Sequence, residues 1–379
     1  MAGIYIHIPF CKQACHYCDF HFSTSLKNRD ELLDCLIKEL ILRKDELANE
    51  TIETIYFGGG TPSLLAIGEI ELLINIIRQY YEVIDQPEIT LEANPDDLSE
   101  DRIKLLSLSP VNRLSIGIQS FFEEDLKMMN RAHNAEEAKN CLSMAIRHFD
   151  NITIDLIYGV PNMSNKRWKE NLQIAFDFGI NHISSYALTV EPKTALDTFI
   201  RKGKYPAPEE KVAREHFEIL VNETEKKGFV HYEISNFGKP NYFSQHNTSY
   251  WLGKKYIGIG PSAHSFNKSH RSWNIANNNK YIKEIQASKL PNEKEKLSIE
   301  DRFNEYLMTG LRTIWGLSLS KIKEDFGESN YLKLMLNSQK FIDEGLLIIE
   351  TDSIDHKILK TTKKGKFLAD GLASDLFII

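Results

Sequence analysis

The chain has 379 residues, a length at which about two to three domains are expected. Hydrophobic residues make up 42% of it and charged residues 26%, which is typical of a globular protein that folds around its own core. The 46 basic and 53 acidic side chains give a formal net charge of -7, which argues against a protein whose main task is to grip nucleic-acid phosphates.

No run of about 18 apolar residues is present, so no membrane-spanning helix is predicted, although this leaves peripheral association with a membrane open. The first ten residues lack the basic segment and the long apolar stretch of a signal peptide. These two observations predict a cytoplasmic protein.

The first half of the chain alternates between helical patterns and short segments rich in β-branched and aromatic residues. The segments predicted to be strands are 4–8, 54–57, 88–92, 113–119, 153–158 and 183–189. Between the second and the third, Ile70, Leu73, Ile74 and Ile77 keep the spacing of a buried helix face. Helical connections of about 10 to 20 residues join parallel strands by right-handed crossovers. The pattern predicts an α/β fold with an open, partial (β/α)6 barrel over residues 1–205, which would bind ligands at the carboxyl ends of its strands.

The second half changes character. Residues 206–290 are predicted to be one helix, 209–227, followed by an irregular aromatic and glycine-containing extension that completes the site. The polar segment 288–296 is expected to be a linker.

Residues 297–379 read as helices, then a hairpin of 346–350 and 356–361, then a closing helix, which indicates a small winged-helix-like domain. Its closing segment contains four lysines, but the segment is short and the chain is acidic. A lid or docking surface is therefore favoured over nucleic-acid binding. The lysines are Lys360, Lys363, Lys364 and Lys366. The apolar end, 376–379, is expected to pack on the barrel or on a partner.

The five cysteines do not suggest a disulfide framework, because their number is odd and the chain is long. Cys35 and Cys141 lie alone in helical patterns and are predicted to be packing residues. The other three, Cys11, Cys15 and Cys18, fall within eight residues directly after the first predicted strand.

This triplet predicts an iron–sulfur site. Three thiolates on a four-iron cubane leave one iron without a protein ligand, and that iron can bind a small chelating molecule. A zinc site with His21 or His16 as the fourth ligand is the alternative. Three unliganded thiols so close together would be prone to oxidation, so that interpretation is disfavoured.

The Cys-x3-Cys-x2-Cys spacing on the loop after the first strand resembles the radical S-adenosylmethionine superfamily. In that family S-adenosylmethionine chelates the open iron of a [4Fe-4S] cluster and is cleaved by one electron to a 5′-deoxyadenosyl radical. Tyr5-x-His7-Ile8-Pro9-Phe10-Cys11 is similar to a subgroup that contains oxygen-independent coproporphyrinogen III dehydrogenases and heme chaperones of the HemW family. The resemblance covers essentially the whole chain.

The loop Gly58-Gly59-Gly60-Thr61-Pro62 follows the second predicted strand. Glycine backbone can approach a ligand closely, and three glycines exceed what a strand-to-helix turn needs, so a ligand role is favoured over a plain turn with Pro62 at the helix start. The resemblance implies that Gly59, Gly60 and Thr61 contact the methionyl amino group. It also implies that Glu92, at the end of the third strand, binds the ribose, whereas a solvated carboxylate is the plain alternative.

Asp155 lies between two apolar residues of the fifth strand, where an unpaired carboxylate is costly. Either Arg131 neutralises it or it serves a ligand, and a ligand role is favoured. The resemblance implies contacts to S-adenosylmethionine, some through a second bound molecule, from Gln119, Arg131, Asp155 and Ala187. The number of bound S-adenosylmethionine molecules, one or two, is left open.

Tyr5 and Tyr17 match positions that contact the nucleoside in the family, and Tyr17 keeps the stacking face of the usual Phe. The dehydrogenases have a fourth cysteine two residues after the third, where this chain has Phe20, as expected of the heme chaperones. They also have an N-terminal extension, whereas the first strand here begins almost at Met1. Both departures disfavour coproporphyrinogen decarboxylation.

His246-Asn247-Thr248-Ser249-Tyr250-Trp251 matches a motif typical of the heme chaperones. A neutral histidine can ligate heme iron, and the two aromatic side chains can pack on the macrocycle. From the residues alone a packed histidine with a satisfied hydrogen bond is favoured, whereas the resemblance favours heme ligation by His246. The glycine-rich turn 258–264 is too short for a dinucleotide site, and His264 in it is a second, weaker heme candidate.

These expectations together describe a heme chaperone with a [4Fe-4S] cluster, S-adenosyl-L-methionine and heme. Its partners would be a heme-acceptor protein and an electron donor. The alternative is an oxygen-independent coproporphyrinogen III dehydrogenase. The cluster machinery is common to both, and no catalytic residue for decarboxylation is assigned.

Overall fold

The computed structural model describes residues 1–351 and 356–378. Six parallel strands lie side by side in chain order, as the sequence predicts. They are β1 (Ala2–Ile8), β2 (Ile52–Gly59), β3 (Val83–Ala93), β4 (Arg113–Gln119), β5 (Ile152–Tyr158) and β6 (His182–Ala187). Both faces of these strands are largely buried, which is why the strands read as continuous apolar runs.

The helices that connect these strands cover the outer face of the sheet. They are α1 (Arg29–Leu42), α2 (Ile67–Tyr80), α3 (Glu100–Ser107), α4 (Glu123–Met129), α5 (Ala135–Ala145) and α6 (Asn165–Asp177). A further helix, α7 (Ala195–Arg201), follows β6 and contacts the cysteine loop, where Leu196 N donates to His16 O at 2.8 Å. In α2 the predicted face of Ile70, Leu73, Ile74 and Ile77 is fully buried. Because all six strands run parallel, their carboxyl ends meet at one edge, and the loops that follow β1 to β5 gather there.

The segment after the barrel is more regular than the sequence indicated. It contains α8 (Glu210–Lys226), β7 (Val230–Glu233), β8 (Asn236–Gly238), α9 (Gln245–Trp251), β9 (Lys255–Ile259), β10 (His264–Phe266), β11 (His270–Asn274), α10 (Asn278–Gln286) and β12 (Asn292–Lys296). The six strands among these extend the sheet to twelve, in the order β12-β11-β10-β9-β1-β2-β3-β4-β5-β6-β8-β7.

The expected linker 288–296 is wrong in part, because its second half forms β12 at the edge of the sheet. The strand reads Asn-Glu-Lys-Glu-Lys and leaves its charged side chains exposed. Such charges protect a sheet edge from further pairing, but they remove the apolar alternation that would identify a strand.

A buried polar clamp fixes the added strands to the barrel. The Glu39 carboxylate accepts hydrogen bonds from Tyr281 Oη at 2.5 Å, from Asn274 Nδ2 at 2.7 Å and from Gly260 N at 2.8 Å. Arg43 pairs with the same carboxylate at 3.1 Å and donates to Gly258 O at 2.8 Å. Glu39 and Arg43 have almost no solvent exposure, so α1 holds β9, β11 and α10 through fully desolvated charges.

The last part of the chain forms its own apolar core. Its elements are α11 (Ile299–Leu311), β13 (Leu317–Ser318), α12 (Leu319–Phe326), α13 (Glu328–Asp343), β14 (Leu347–Thr351), β15 (Lys357–Thr361) and α14 (Ala369–Asp375). β14 and β15 pair as the predicted antiparallel hairpin. No helix of the described residues is long and apolar enough to cross a membrane.

The predicted docking of the apolar end on the barrel or on a partner is wrong for the described residues. Leu376 is buried in the core of this last unit, and Phe377 and Ile378 pack against the same core. Asn304 on α11 holds the tail through bonds of 2.8 and 2.9 Å to the backbone of Ile378. Ile379 lies outside the described residues.

Two of the four lysines in the closing segment, Lys363 and Lys366, contact the segment that follows the barrel. Lys363 pairs with Glu225 near the end of α8 at 2.6 Å, and Lys366 donates to His231 O in β7 at 2.6 Å. These two contacts hold the last unit against α8 and β7.

Candidate functional site

A cavity lies at the carboxyl ends of the barrel strands, where the loop between β1 and α1 folds over them. It contains about 760 Å³ of space, part of it open to solvent. Eleven of the fifteen predicted site residues line it, from six separate parts of the chain. They are Cys11, Cys15, Tyr17, Cys18, Gly59, Gly60, Thr61, Glu92, Gln119, Arg131 and Asp155.

The three cysteines of the loop are half-buried and carry free thiols. The loop is held by Cys11 N donating to Ser23 O at 3.0 Å and by a tight turn in which Cys18 N donates to Cys15 O at 3.3 Å. Burial raises the pKa of Cys18 to about 11 and also raises the pKa of Cys11. These thiols therefore stay protonated near neutral pH unless a metal centre displaces the protons.

Arg131 places a positive charge directly beside the cysteine loop. Its Nη1 donates to Cys15 Sγ at 3.2 Å, and its Nη2 donates to Asn94 Oδ1 at 2.6 Å and to Gly117 O at 2.9 Å. Its Nε is buried without a hydrogen-bond partner among the described residues. A cation so placed complements the negative charge of a metal-bound thiolate.

The geometry does not favour the zinc alternative. Within residues 1–351 and 356–378, no three His, Cys, Asp or Glu side chains are grouped so that they could hold one metal ion. Each of the two proposed fourth ligands uses one ring nitrogen in another contact and keeps the second, since His16 Nδ1 lies 2.8 Å from Met128 O and His21 Nε2 lies 2.7 Å from Asn278 Oδ1. An iron–sulfur cluster fits better, because its cysteines bind different irons and their sulfurs need not converge on one ion.

The glycine loop is required by the protein's own packing. Gly59 has φ 108°, and a Cβ on it would lie 2.6 Å from the ring of His7. A Cβ on Gly60 would lie 2.5 Å from Phe10 O, the residue before the first cysteine. The loop thus fits against the end of β1 and sets the position of Cys11. The number of glycines, which the sequence linked to a ligand, has this structural cause.

Two carboxylates of raised pKa face the cavity. Glu92 accepts a hydrogen bond from Tyr56 Oη at 2.8 Å and one from Gly59 N at 3.1 Å, and burial raises its pKa to about 7. Burial raises the pKa of Asp155 to about 6. Among the described residues Arg131 forms no salt bridge with Asp155, but the charges of Arg113 and Arg131 lower the pKa of this carboxyl and offset part of the effect of burial. A carboxylate has about four acceptor sites, which leaves Glu92 free to accept from a ligand hydroxyl.

Gln119 and Tyr17 complete the wall of the cavity. Gln119 ends β4 with φ 64°, a left-handed conformation that costs a non-glycine residue about 1 kcal/mol or more and that concentrates at functional sites. Tyr17 is half-buried beside Arg131, and burial raises its pKa.

Four predicted residues lie outside the cavity lining. Tyr5 bonds to His7 Nδ1 at 3.1 Å and stacks on Tyr56 at 6.0 Å, in the barrel interior. Ala187 ends β6 and packs against the main core. The two heme candidates, His246 and His264, lie in the segment after the barrel.

His246 is the first residue of its motif and lies within α9, packed into the barrel interior. It is 1% exposed, and its ring stacks on Tyr56 at 4.9 Å. Its Nδ1 is 2.7 Å from Thr54 Oγ1 and its Nε2 is 2.7 Å from Tyr250 Oη. This is the packed, hydrogen-bonded histidine that the residues alone favoured. His264, by contrast, is exposed on β10.

The sequence analysis missed Asn94 and Tyr56. Asn94 lines the cavity and bridges Arg131 and Thr61 Oγ1, the latter at 3.2 Å. It follows Glu92 by two residues at the same strand end, and that position was the available signal. Tyr56 precedes the glycine loop and holds Glu92, but only the strand register shows that it points inward.

Comparison with known proteins identifies the family. Residues 5–190 match the model of the radical SAM superfamily. The chain is 34% identical to the heme chaperone HemW of Bacillus subtilis over 333 residues, which cover 87% of this chain and 88% of the relative. The chain belongs to the HemW family of the radical SAM superfamily. A Mycobacterium tuberculosis HemW is 31% identical over 380 residues, covering 99% of this chain and 94% of that one.

The HemW-family chain also matches a solved structure, coproporphyrinogen III oxidase (HemN) from Escherichia coli. The TM-score is 0.84 at 21% sequence identity, with 99% of this chain and 90% of that one covered. This confirms the predicted α/β fold with a radical-SAM partial barrel. The superfamily's [4Fe-4S] cluster and S-adenosylmethionine are the two cofactors predicted for the cavity, and its three cysteines, adjacent cation and carboxylates suit them.

Proposed function

We propose that this protein is a heme chaperone that binds heme and transfers it to an acceptor protein. The observation that carries the proposal is the identity of 34% over 87% of the chain with a relative that is itself named a heme chaperone. The acceptor protein, an electron donor for the cluster and a cytoplasmic location belong to the same proposal.

In this proposal Cys11, Cys15 and Cys18 hold a [4Fe-4S] cluster and leave its fourth iron to S-adenosylmethionine. When bound, the pair supplies one-electron chemistry. Arg131 donates to Cys15 Sγ at 3.2 Å, and a hydrogen bond to a cluster sulfur favours the reduced cluster. The arginine therefore tunes the cluster as well as positioning its loop.

The remaining cavity residues bind the nucleoside and methionine parts. Gly59, Gly60 and Thr61 present backbone to the methionyl end, and Glu92 accepts from the ribose. Tyr17 offers an aromatic face, while Tyr5 supports Tyr56 from behind. The family resemblance implies further contacts to S-adenosylmethionine, from Gln119, Arg131, Asp155 and Ala187.

The second candidate function is coproporphyrinogen III dehydrogenation, which the similarity of fold to HemN favours. Phe20 counts against it. Its side chain lines the cluster cavity and is 69% exposed. It occupies the position at which the dehydrogenase motif, Cys-x3-Cys-x2-Cys-x-Cys, has its fourth cysteine. A large apolar side chain open to solvent beside the cluster suits an apolar cargo or a partner surface better than a thiol-dependent reaction.

The two functions are separated by one pair of assays on the anaerobically reconstituted protein. Heme is titrated and followed by its Soret band, and coproporphyrinogen III is incubated with the same protein, S-adenosylmethionine and a reductant. We expect saturable binding of one heme per chain and no loss of propionate carboxyl groups. Decarboxylation without saturable heme binding would overturn the proposal in favour of the dehydrogenase.

A further inference from the structure

The inner face of the barrel sheet continues beyond the barrel onto β9 and β10. Tyr256 on β9 is paired with Gly3 of β1, and its ring packs at 4.5 Å on Tyr250, whose hydroxyl reaches His246 inside the barrel. Phe266 on β10 is the cross-strand partner of Tyr256, with their ring centroids 6.2 Å apart. Tyr256 and Phe266 therefore belong to the inner face.

His264 shares this face, because side chains two residues apart on a strand point to the same side. Its cross-strand partner on β11 is Trp273, and their ring centroids are 6.1 Å apart. Arg271 is the partner of Phe266, with its guanidinium carbon 6.0 Å from the Phe266 ring centroid. An imidazole, two further aromatic rings and a cation thus lie together. We refer to His264, Phe266, Arg271 and Trp273 as the β10–β11 platform.

The imidazole of His264 is available for ligation. The residue is exposed, and no hydrogen bond to its ring is found within residues 1–351 and 356–378. Burial of part of the ring and the charge of Arg271 lower its pKa, so it is neutral near pH 7 and has a nitrogen lone pair for a metal.

His246 is neutral as well, because burial lowers its pKa to about 3, but it is neither exposed nor free of hydrogen bonds. Both of its ring nitrogens are within 2.7 Å of a hydroxyl, and it is 1% exposed. For heme iron to reach it, the hydrogen bonds to Thr54 and Tyr250 would have to break and α9 would have to leave the barrel interior. Both steps cost free energy and would weaken heme binding at His246, whereas binding at His264 requires neither.

We propose that His264 ligates the iron of the heme cargo on the β10–β11 platform, while His246 maintains the barrel interior. The proposal rests on the heme-chaperone function proposed above. Trp273 and Phe266 would pack on the apolar macrocycle, and Arg271, exposed in part and paired with Glu305 at 2.9 Å, would exchange that partner for a propionate. These are the three kinds of contact that a planar iron-bearing dicarboxylate needs.

His7 links the platform to the wall of the cluster cavity. The charge of His264 contributes to the lowered pKa of His7, and the His7 ring lies against Gly59, which lines the cavity. His7 Nε2 is also 3.0 Å from His21 O, three residues after Cys18. His264 itself does not line the cavity, so heme on the platform would leave the cofactor's cavity free.

The test is a heme titration of the reconstituted protein and three variants, with the Soret and visible bands recorded at saturation. His264→Ala removes the ligand, and we expect the Kd to rise by about tenfold or more and the spectrum of imidazole-ligated iron to disappear. His264→Cys offers a thiolate instead, and we expect binding to return with the spectrum of thiolate-ligated heme. The control is His148→Ala, which removes another exposed histidine and should change neither quantity.

The spectral change in His264→Cys is what distinguishes ligation from a structural effect. An unchanged affinity and spectrum in His264→Ala would overturn the proposal. So would an imidazole spectrum that persists in His264→Cys. If the unaltered protein fails to bind heme saturably, the heme-chaperone function itself fails, and the ligand assignment fails with it.

Discussion

The state of His246 can be tested through the pH dependence of stability. Burial lowers the pKa of this histidine from 6.5 to about 3. As the pH falls below about 6.5, the unfolded chain takes up a proton at this side chain and the folded chain does not. The contribution of His246 to stability is therefore complete above pH 6.5 and is lost as the pH falls.

The size of the effect follows from the same shift. Each pH unit between the two pKa values is worth about 1.4 kcal/mol of unfolding free energy per group. Replacing His246 with Asn removes this titration but also breaks the bond to Tyr250, at a cost of about 1–3 kcal/mol that does not depend on pH. The variant should therefore be less stable at pH 7, and its deficit should shrink by about 2 kcal/mol at pH 5.

The assay is urea unfolding of the cluster-free chain at pH 7 and pH 5, followed by circular dichroism. Tyr250→Phe is the matched control, because it removes the hydroxyl 2.7 Å from His246 Nε2 and keeps the histidine. It should lower stability by a similar amount at both pH values. A deficit for His246→Asn that stays constant between pH 7 and pH 5 would refute the claim that His246 is buried and neutral.

Three further outcomes follow from the structure. Cys15→Ala should abolish the broad visible absorbance of the cluster after anaerobic reconstitution, whereas Cys141→Ala, a buried packing residue, should retain it; equal spectra would exclude a cluster on the triplet. Glu39→Ala should cost about 3–5 kcal/mol in urea unfolding, because it removes one of the two carboxylate partners of the desolvated Arg43 and the acceptor for Tyr281 and Asn274, and a loss below about 1 kcal/mol would contradict a buried clamp. Gly60→Ala should lower the iron bound per chain, since its Cβ would lie 2.5 Å from Phe10 O, and full iron incorporation would show that the loop adapts.

The barrel strands could be predicted because parallel strands are buried on both faces. Each therefore appears as a compact run of β-branched and aromatic residues, and 113–119 matches β4 residue for residue. The added strands could not be predicted. β10 has three residues, and β12 has no apolar face, so neither shows an alternating pattern.

The cavity could be predicted in part for a related reason. Glu92, Gln119 and Asp155 each lie within or at the end of a recognisable strand, and parallel topology brings those ends together. The hydrogen-bond and ion-pair partners of the site residues could not be predicted. The pairing of Arg131 with Cys15, and its lack of pairing with Asp155, depends on the orientation of loops far apart in sequence.

The motif around His246 shows the limit most clearly. The sequence contains a histidine and two aromatic residues in a pattern that suits heme. Only the fold shows that Thr54, from a strand almost two hundred residues earlier, occupies its Nδ1. A ligand candidate can be named from sequence, but its availability depends on tertiary contacts.

The most direct test of the central claim is heme transfer. Heme-loaded protein is mixed with increasing concentrations of an apo b-type heme protein, and the shift of the Soret band to the acceptor is timed. A chaperone hands heme over within a complex, so the account predicts a transfer rate that rises with acceptor concentration. A rate that equals spontaneous heme release at every acceptor concentration would contradict it.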